Sequence, residues 1–84
     1  MRAKFESKNG ELYINGHKVI KGWESFNGWY WFAIEEVEPG LYFGYVQGLE
    51  EEWGYFSIYE LKDLIKRGWV WEIRKKDLPF AGRW

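Results

Sequence analysis

The sequence predicts an α+β domain: a mainly antiparallel, curved sheet or partly closed barrel with one short helix near the C-terminus. Three observations predict it. Short runs rich in aromatic and β-branched residues are punctuated by turn signals at Asn9-Gly10, Asn15-Gly16 and Pro39-Gly40. One stretch near the end, around Leu61, Leu64 and Ile65, has helical spacing instead. The resulting order, six strands, a helix and a last strand, is that of an α+β domain. The 84 residues bound this to a single domain. Within it, residues 1–22 read as N-terminal hairpins, 29–47 as a central hairpin and 54–74 as a strand–helix–strand unit.

The first strand is the alternating run from Ala3 to Ser7, closed by the turn Lys8-Asn9-Gly10. Glu11 to Ile14 and His17 to Ile20 then flank Asn15-Gly16. Asn-Gly between two β-like runs predicts a tight hairpin, because a type I′ turn needs positive φ at both central residues. Gly22 to Gly28 (GWESFNG) is turn-rich and reads as a loop. Trp29 to Val37 is a long strand with Trp29, Trp31 and Ala33 on one face and Tyr30, Phe32 and Ile34 on the other. Both faces are apolar, so this strand is expected at the centre, covered on both sides. Glu38-Pro39-Gly40 turns the chain into the return strand Leu41 to Gln47, where Gly44 suggests a bulge or a large aromatic packed across it.

Gly48 to Trp53 (GLEEEW) reads as an acidic loop and Gly54 to Ile58 as a short strand. Ser57 with Glu60 three residues on is a capping box, each side chain serving an amide that the first helical turn leaves unpaired. Leu61, Leu64 and Ile65 form the buried stripe of a helix of about ten residues, short enough to need docking. Lys66 and Arg67 suit the negative end of its dipole, and Gly68 suits its stop. Trp69 to Arg74 is the last strand, followed by a tail, Phe80 to Trp84, that is expected to dock by its aromatics.

Composition narrows the class. Aromatics make up 23% of the chain, far above disordered segments. With no Cys, disulfide staples and thiolate metal sites are excluded, which favours the cytoplasm over secretion. No signal-like segment opens the chain, and no run approaches the roughly 20 apolar residues of a membrane span. The abundance of Glu, Lys and Trp with one Met and one Gln resembles thermophile usage. Net charge is −1 but unevenly spread: +3 over residues 1–23, −7 over 24–52 and +3 over 53–84. That argues against a generally basic nucleic-acid binder.

The string from Trp29 to Leu64 carries a resemblance. Trp29, Tyr30, Glu35, Phe43, Gly44, Val46, Gly48, Glu50, Gly54, Tyr55, Phe56, Ser57, Glu60 and Leu61 resemble the pattern of a small domain-of-unknown-function family of plasmid, phage and conjugative-element proteins. The G-Y-F-S-x-x-E-L piece is its most specific part, and Trp53 stands where that pattern has Leu. The resemblance covers somewhat under half the chain. It implies a mobile-element origin and no particular activity. The same residues have folding roles: Ser57 and Glu60 cap the helix, Gly54 turns the chain, and Phe56 and Leu61 fill the core.

Catalytic chemistry finds little to use. His17 is the only His, so zinc and most transition metals lack ligands. Glu50-Glu51-Glu52 lacks the spacing of a calcium loop. Glu35 and Glu36 are adjacent on a strand, face opposite ways and cannot act as a carboxylate pair. Phosphate-binding glycine motifs are absent. No enzyme activity, cofactor or metal is expected.

The aromatic surplus is the functional clue. Nineteen aromatics at about 150–250 Å² each are more than 84 residues readily hide, so part of that surface is expected outside, as an interaction site. The candidates are Trp23, Trp29, Trp53 and Trp84, all near turns or ends. The leading expectation is a non-enzymatic protein-binding or self-associating module, a homodimer included. The alternatives are a nucleic-acid-binding accessory protein using Lys62, Lys66, Arg67, Trp69, Trp71, Arg74, Lys75 and Lys76, and an inhibitor of a host defence protein whose Glu35 to Glu52 region mimics nucleic-acid charge.

Overall fold

The computed structural model describes residues 3–84. Asn9 and Gly10, with φ of 53° and 75°, join β1 (Phe5–Lys8) to β2 (Glu11–Ile14). Asn15 and Gly16, at 51° and 81°, join β2 to β3 (His17–Lys18). Two positive φ values in succession are the requirement of the type I′ hairpin, so both turns form as their sequence dictates. These strands make a three-stranded antiparallel sheet in the order β1-β2-β3.

The chain then changes sheets within two residues. The Val19 N–H donates to the Leu12 carbonyl of the small sheet at 2.9 Å, and the next N–H, of Ile20, donates to Ala33 of the large one at 2.8 Å. Beyond this corner run β4 (Lys21–Ser25), β5 (Tyr30–Glu38), β6 (Leu41–Gln47) and β7 (Glu51–Ser57). After the helix α1 (Ile58–Lys66) comes β8 (Val70–Glu72). The second sheet is antiparallel, in the order β7-β6-β5-β4-β8. The two sheets stay open at their edges and form no closed barrel.

Two expectations are corrected here. The segment read as a loop from Gly22 to Gly28 contains β4, which lies between β5 and β8 and buries Trp23. Pairing with β8, some 47 residues later, decides this, and no local pattern reports it. The acidic loop is also shorter than expected, because β7 begins at Glu51 and takes Glu52 and Trp53 into its ladder with β6. Gly54 therefore lies within a strand, opposite Gly44, and turns nothing.

β5 is the central wall, and its two faces belong to two cores. Phe32 packs with Leu12, Ile14, Val19, Tyr45, Ile73 and Leu78 beneath the small sheet. Ala33 packs with Trp23, Tyr42, Phe56, Leu61 and Val70 beneath α1. The helix starts as its sequence directs: Ser57 Oγ accepts from the Tyr59 N–H at 3.0 Å, and the Ser57 N–H donates to Glu60 Oε1 at 3.1 Å. Gly44 marks a bulge, where the β5 register slips between Ala33 and Glu35. A Cβ on Gly44 would lie 1.7 Å from the Phe32 carbonyl oxygen, so only glycine permits this approach. Among the described residues, no helix is long and apolar enough to cross a membrane.

Candidate functional site

The seven tryptophans separate by burial. Trp23 is 2% exposed, Trp29, Trp31 and Trp53 are half-buried, and Trp69, Trp71 and Trp84 are exposed. Trp23 is thereby removed from the expected interaction surface: its ring lies 5.2 Å from Tyr42 and 5.8 Å from Phe56, inside the core under α1. The other three candidates lie apart. Trp53 stands beside the open cleft between the sheets, edge-on to His17 at 5.9 Å. Trp84 rests on Phe5 at 5.7 Å. Trp29 belongs to an aromatic groove.

That groove has a volume of about 260 Å³ and lies where the end of the large sheet meets the end of α1. Its walls are Trp29 just before β5 and Trp31 within it, Phe26 and Asn27 of the β4–β5 turn, Leu64 of α1, and Trp69 and Val70 where β8 begins. The turn is held by Ser25, whose hydroxyl donates to the Asn27 side-chain carbonyl and accepts from the Trp29 N–H at 3.0 Å. Trp29 packs flat over Gly48, where a Cβ would come 2.3 Å from the ring, and its ring centroid lies 5.9 Å from that of Trp31.

The opposite wall is built by the end of the helix. The Gly68 N–H donates to Ile65 and the Trp69 N–H to Leu64, both at 3.0 Å, with Gly68 at φ 78°. This is the Schellman pattern, which brings the residue after the glycine back over the last helical turn. Trp69 thus meets Leu64, and both line the groove. The Phe26 N–H donates to the Trp69 carbonyl at 2.9 Å, with the two rings 6.2 Å apart. Arg67 lies over Trp69, its guanidinium 5.2 Å from the ring centroid. The groove is therefore a hydrogen-bonded arrangement of aromatics, with one cation at its rim.

The basic-aromatic set is only partly assembled. Arg67 and Trp69 meet, but Arg67 is bonded to Asp63 at 2.9 Å and Arg74 to Asp77 at 2.9 Å. The Trp71 indole N–H donates to Glu24 at 3.0 Å. Lys62 and Lys66 stand exposed on the helix, Lys75 and Lys76 beyond β8. Three of the eight residues thus carry a carboxylate beside them.

Sequence reasoning missed Phe26, Trp31, Leu64 and Val70 as parts of one site. The available signal was Phe26, a bulky aromatic directly before the turn residues Asn27-Gly28. Lys18 is held above its ordinary value by its bond to Glu11, and the Tyr30 phenol is pushed up by burial, then by Glu24. Neither lines the groove. No family model, curated protein or solved structure matches the chain.

Proposed function

We propose that the chain is a non-enzymatic protein-binding module, of the mobile-element kind that its Trp29–Leu64 segment resembles, and that the aromatic groove seats apolar side chains of its partner. The groove itself is the observation that carries this reading. Phe26 is 68% and Trp69 45% exposed, yet both are fixed by main-chain bonds. Aromatic surface held in place loses little conformational freedom on association, which is the economy of an interface anchor. At about 260 Å³ the groove falls below the roughly 300–1,000 Å³ of small-molecule sites and suits one or two large side chains. The carboxylates at Arg67, Trp71 and Arg74 favour a protein partner over a nucleic-acid backbone.

The test is a displayed random-peptide library selected on the wild-type chain and then measured against the double variant Phe26→Ala/Trp69→Ala. Selected peptides are expected to share an aromatic or aliphatic residue, to change tryptophan emission, and to lose roughly tenfold or more in affinity for the variant. Equal binding to both chains, or no selected peptide at all, overturns the reading. Binding of single-stranded DNA that weakens steeply with salt would assign the groove to base stacking instead.

A further inference from the structure

Gly54 has no use within one copy of the chain. It sits in the middle of β7, its φ is outside the left-handed region, and a Cβ built on it would meet nothing within 4 Å. Glycine weakens a strand, and where no bulge or turn needs it, it marks a place where another backbone comes close. β7 is also an open edge of the five-stranded sheet, seven residues long.

The hydrogen-bond pattern tells which groups this edge offers. The Ile58 N–H donates to the Gly40 carbonyl at 2.8 Å, one step beyond the β6–β7 ladder. Antiparallel pairs alternate, so Phe56, Gly54 and Glu52 point their main-chain groups toward β6, while Trp53 and Tyr55 point theirs away. No strand among the described residues takes them up. Tyr55 is 68% exposed, and its ring lies 5.0 Å from that of Phe43.

We propose that this edge pairs with the same edge of a second copy, antiparallel, about a two-fold axis at Gly54. In that register Trp53 of each copy faces Tyr55 of the other. Both residues turn their main-chain groups outward, so the ladder closes and the two sheets become one of ten strands. Gly54 faces Gly54 across a non-hydrogen-bonded position, where side chains come nearest. In this register Glu51 and Glu52 come beside Ser57 and Phe56 of the other copy and away from their own counterparts, so the two acidic ends of the strands do not meet. A self-complementary contact of this kind closes on itself and forms no fibre.

The test uses Gly54→Lys and Gly54→Glu, which the single copy has room to accommodate. Each variant places two like charges against each other at the axis, while a mixture of the two places opposite ones there. By light scattering on a sizing column, the wild-type chain is expected to approach twice its 10.2 kDa mass as concentration rises. Each variant alone is expected to stay at the single mass with an unfolding temperature no lower than that of wild type diluted to its single mass, and the equimolar mixture to recover the double mass. A wild-type chain that stays single at its highest soluble concentration overturns the proposal. So does a dimer that survives both substitutions, or one that Phe26→Ala/Trp69→Ala disrupts while Gly54→Lys does not, since the groove would then hold the copies together.

Discussion

Trp23 and Trp84 are the same side chain under opposite demands. Both sit near a glycine, so the sequence treats them alike as candidate surface residues. Trp23 is enclosed because β4 is closed on both sides, by β5 and by β8. Adjacency to a turn was legible in the sequence; the distant pairing that buries Trp23 was not. Trp23→Ala is expected to cost about 3–5 kcal/mol, read as a lower urea midpoint at an unchanged slope, and the same change at half-exposed Trp84 distinctly less. Tyr30 gives a second prediction at this scale. Its phenol, stacked on Phe32 at 5.7 Å, is held above 10.0 by burial and then by the Glu24 carboxylate. A raised pKa means the folded chain holds this proton more tightly than the unfolded one. The associated stability is whole below about pH 10 and is lost as pH climbs through the raised value. Tyr30→Phe should make the alkaline fall in unfolding temperature shallower. An unchanged profile would mean that Tyr30 contributes nothing to it.

Strands and helix were legible wherever local chemistry decides them. Asn-Gly set the two hairpins, Ser57 with Glu60 set the helix start, and Gly68 set its end. β5 was legible as a central strand because both its faces are apolar. The start of β7 was not, since three consecutive glutamates look like a solvated loop. On an edge strand, Glu52 can face water without leaving the ladder, and charge is a common guard of exposed edges. The groove was legible only in part, because its walls come from β4, β5, α1 and β8, and their convergence is a matter of topology. Gly44 shows how a single residue can hold an element in shape. The sequence suggests a bulge, and the structure puts the Phe32 carbonyl where any Cβ would lie. Gly44→Ala must therefore push β6 off β5 or straighten the bulge, and either disturbs both cores at once. We expect a loss of several kcal/mol, at the upper end of overpacking costs of about 1–3 kcal/mol or beyond it, measured by chemical unfolding. A loss under about half a kcal/mol would mean that the strands separate there without strain.

At the scale of the whole molecule, the C-terminal tail fastens the two sheets together. Phe5 of the small sheet carries the Trp84 ring, while Gln47, fully buried at the end of β6, holds the main chain of Arg83. The Arg83 N–H donates to Gln47 Oε1 at 2.8 Å, and Gln47 Nε2 donates to the Arg83 carbonyl at 2.9 Å. The Arg83 guanidinium adds a bond to the Gly48 carbonyl at 2.7 Å, close under the groove residue Trp29. A buried amide is tolerated only while its bonds are made, so Gln47 and the tail depend on each other. Gln47→Leu in the full chain keeps the site filled but removes both bonds between the Gln47 amide and the Arg83 main chain. It should cost about 1–3 kcal/mol, free the tail for cleavage after Arg83 by trypsin, and shift Trp84 emission toward that of exposed indole. In a chain ending at Ala81 the bonds to Arg83 are already gone and the same substitution removes only the longer Gln47 Nε2–Glu51 bond of 3.3 Å, so it should cost less. The two changes are thus expected to be strongly less than additive in a double-mutant cycle. Simple additivity would show that the tail lies against the sheets without fastening them, and that the corner between β3 and β4 alone sets how they meet.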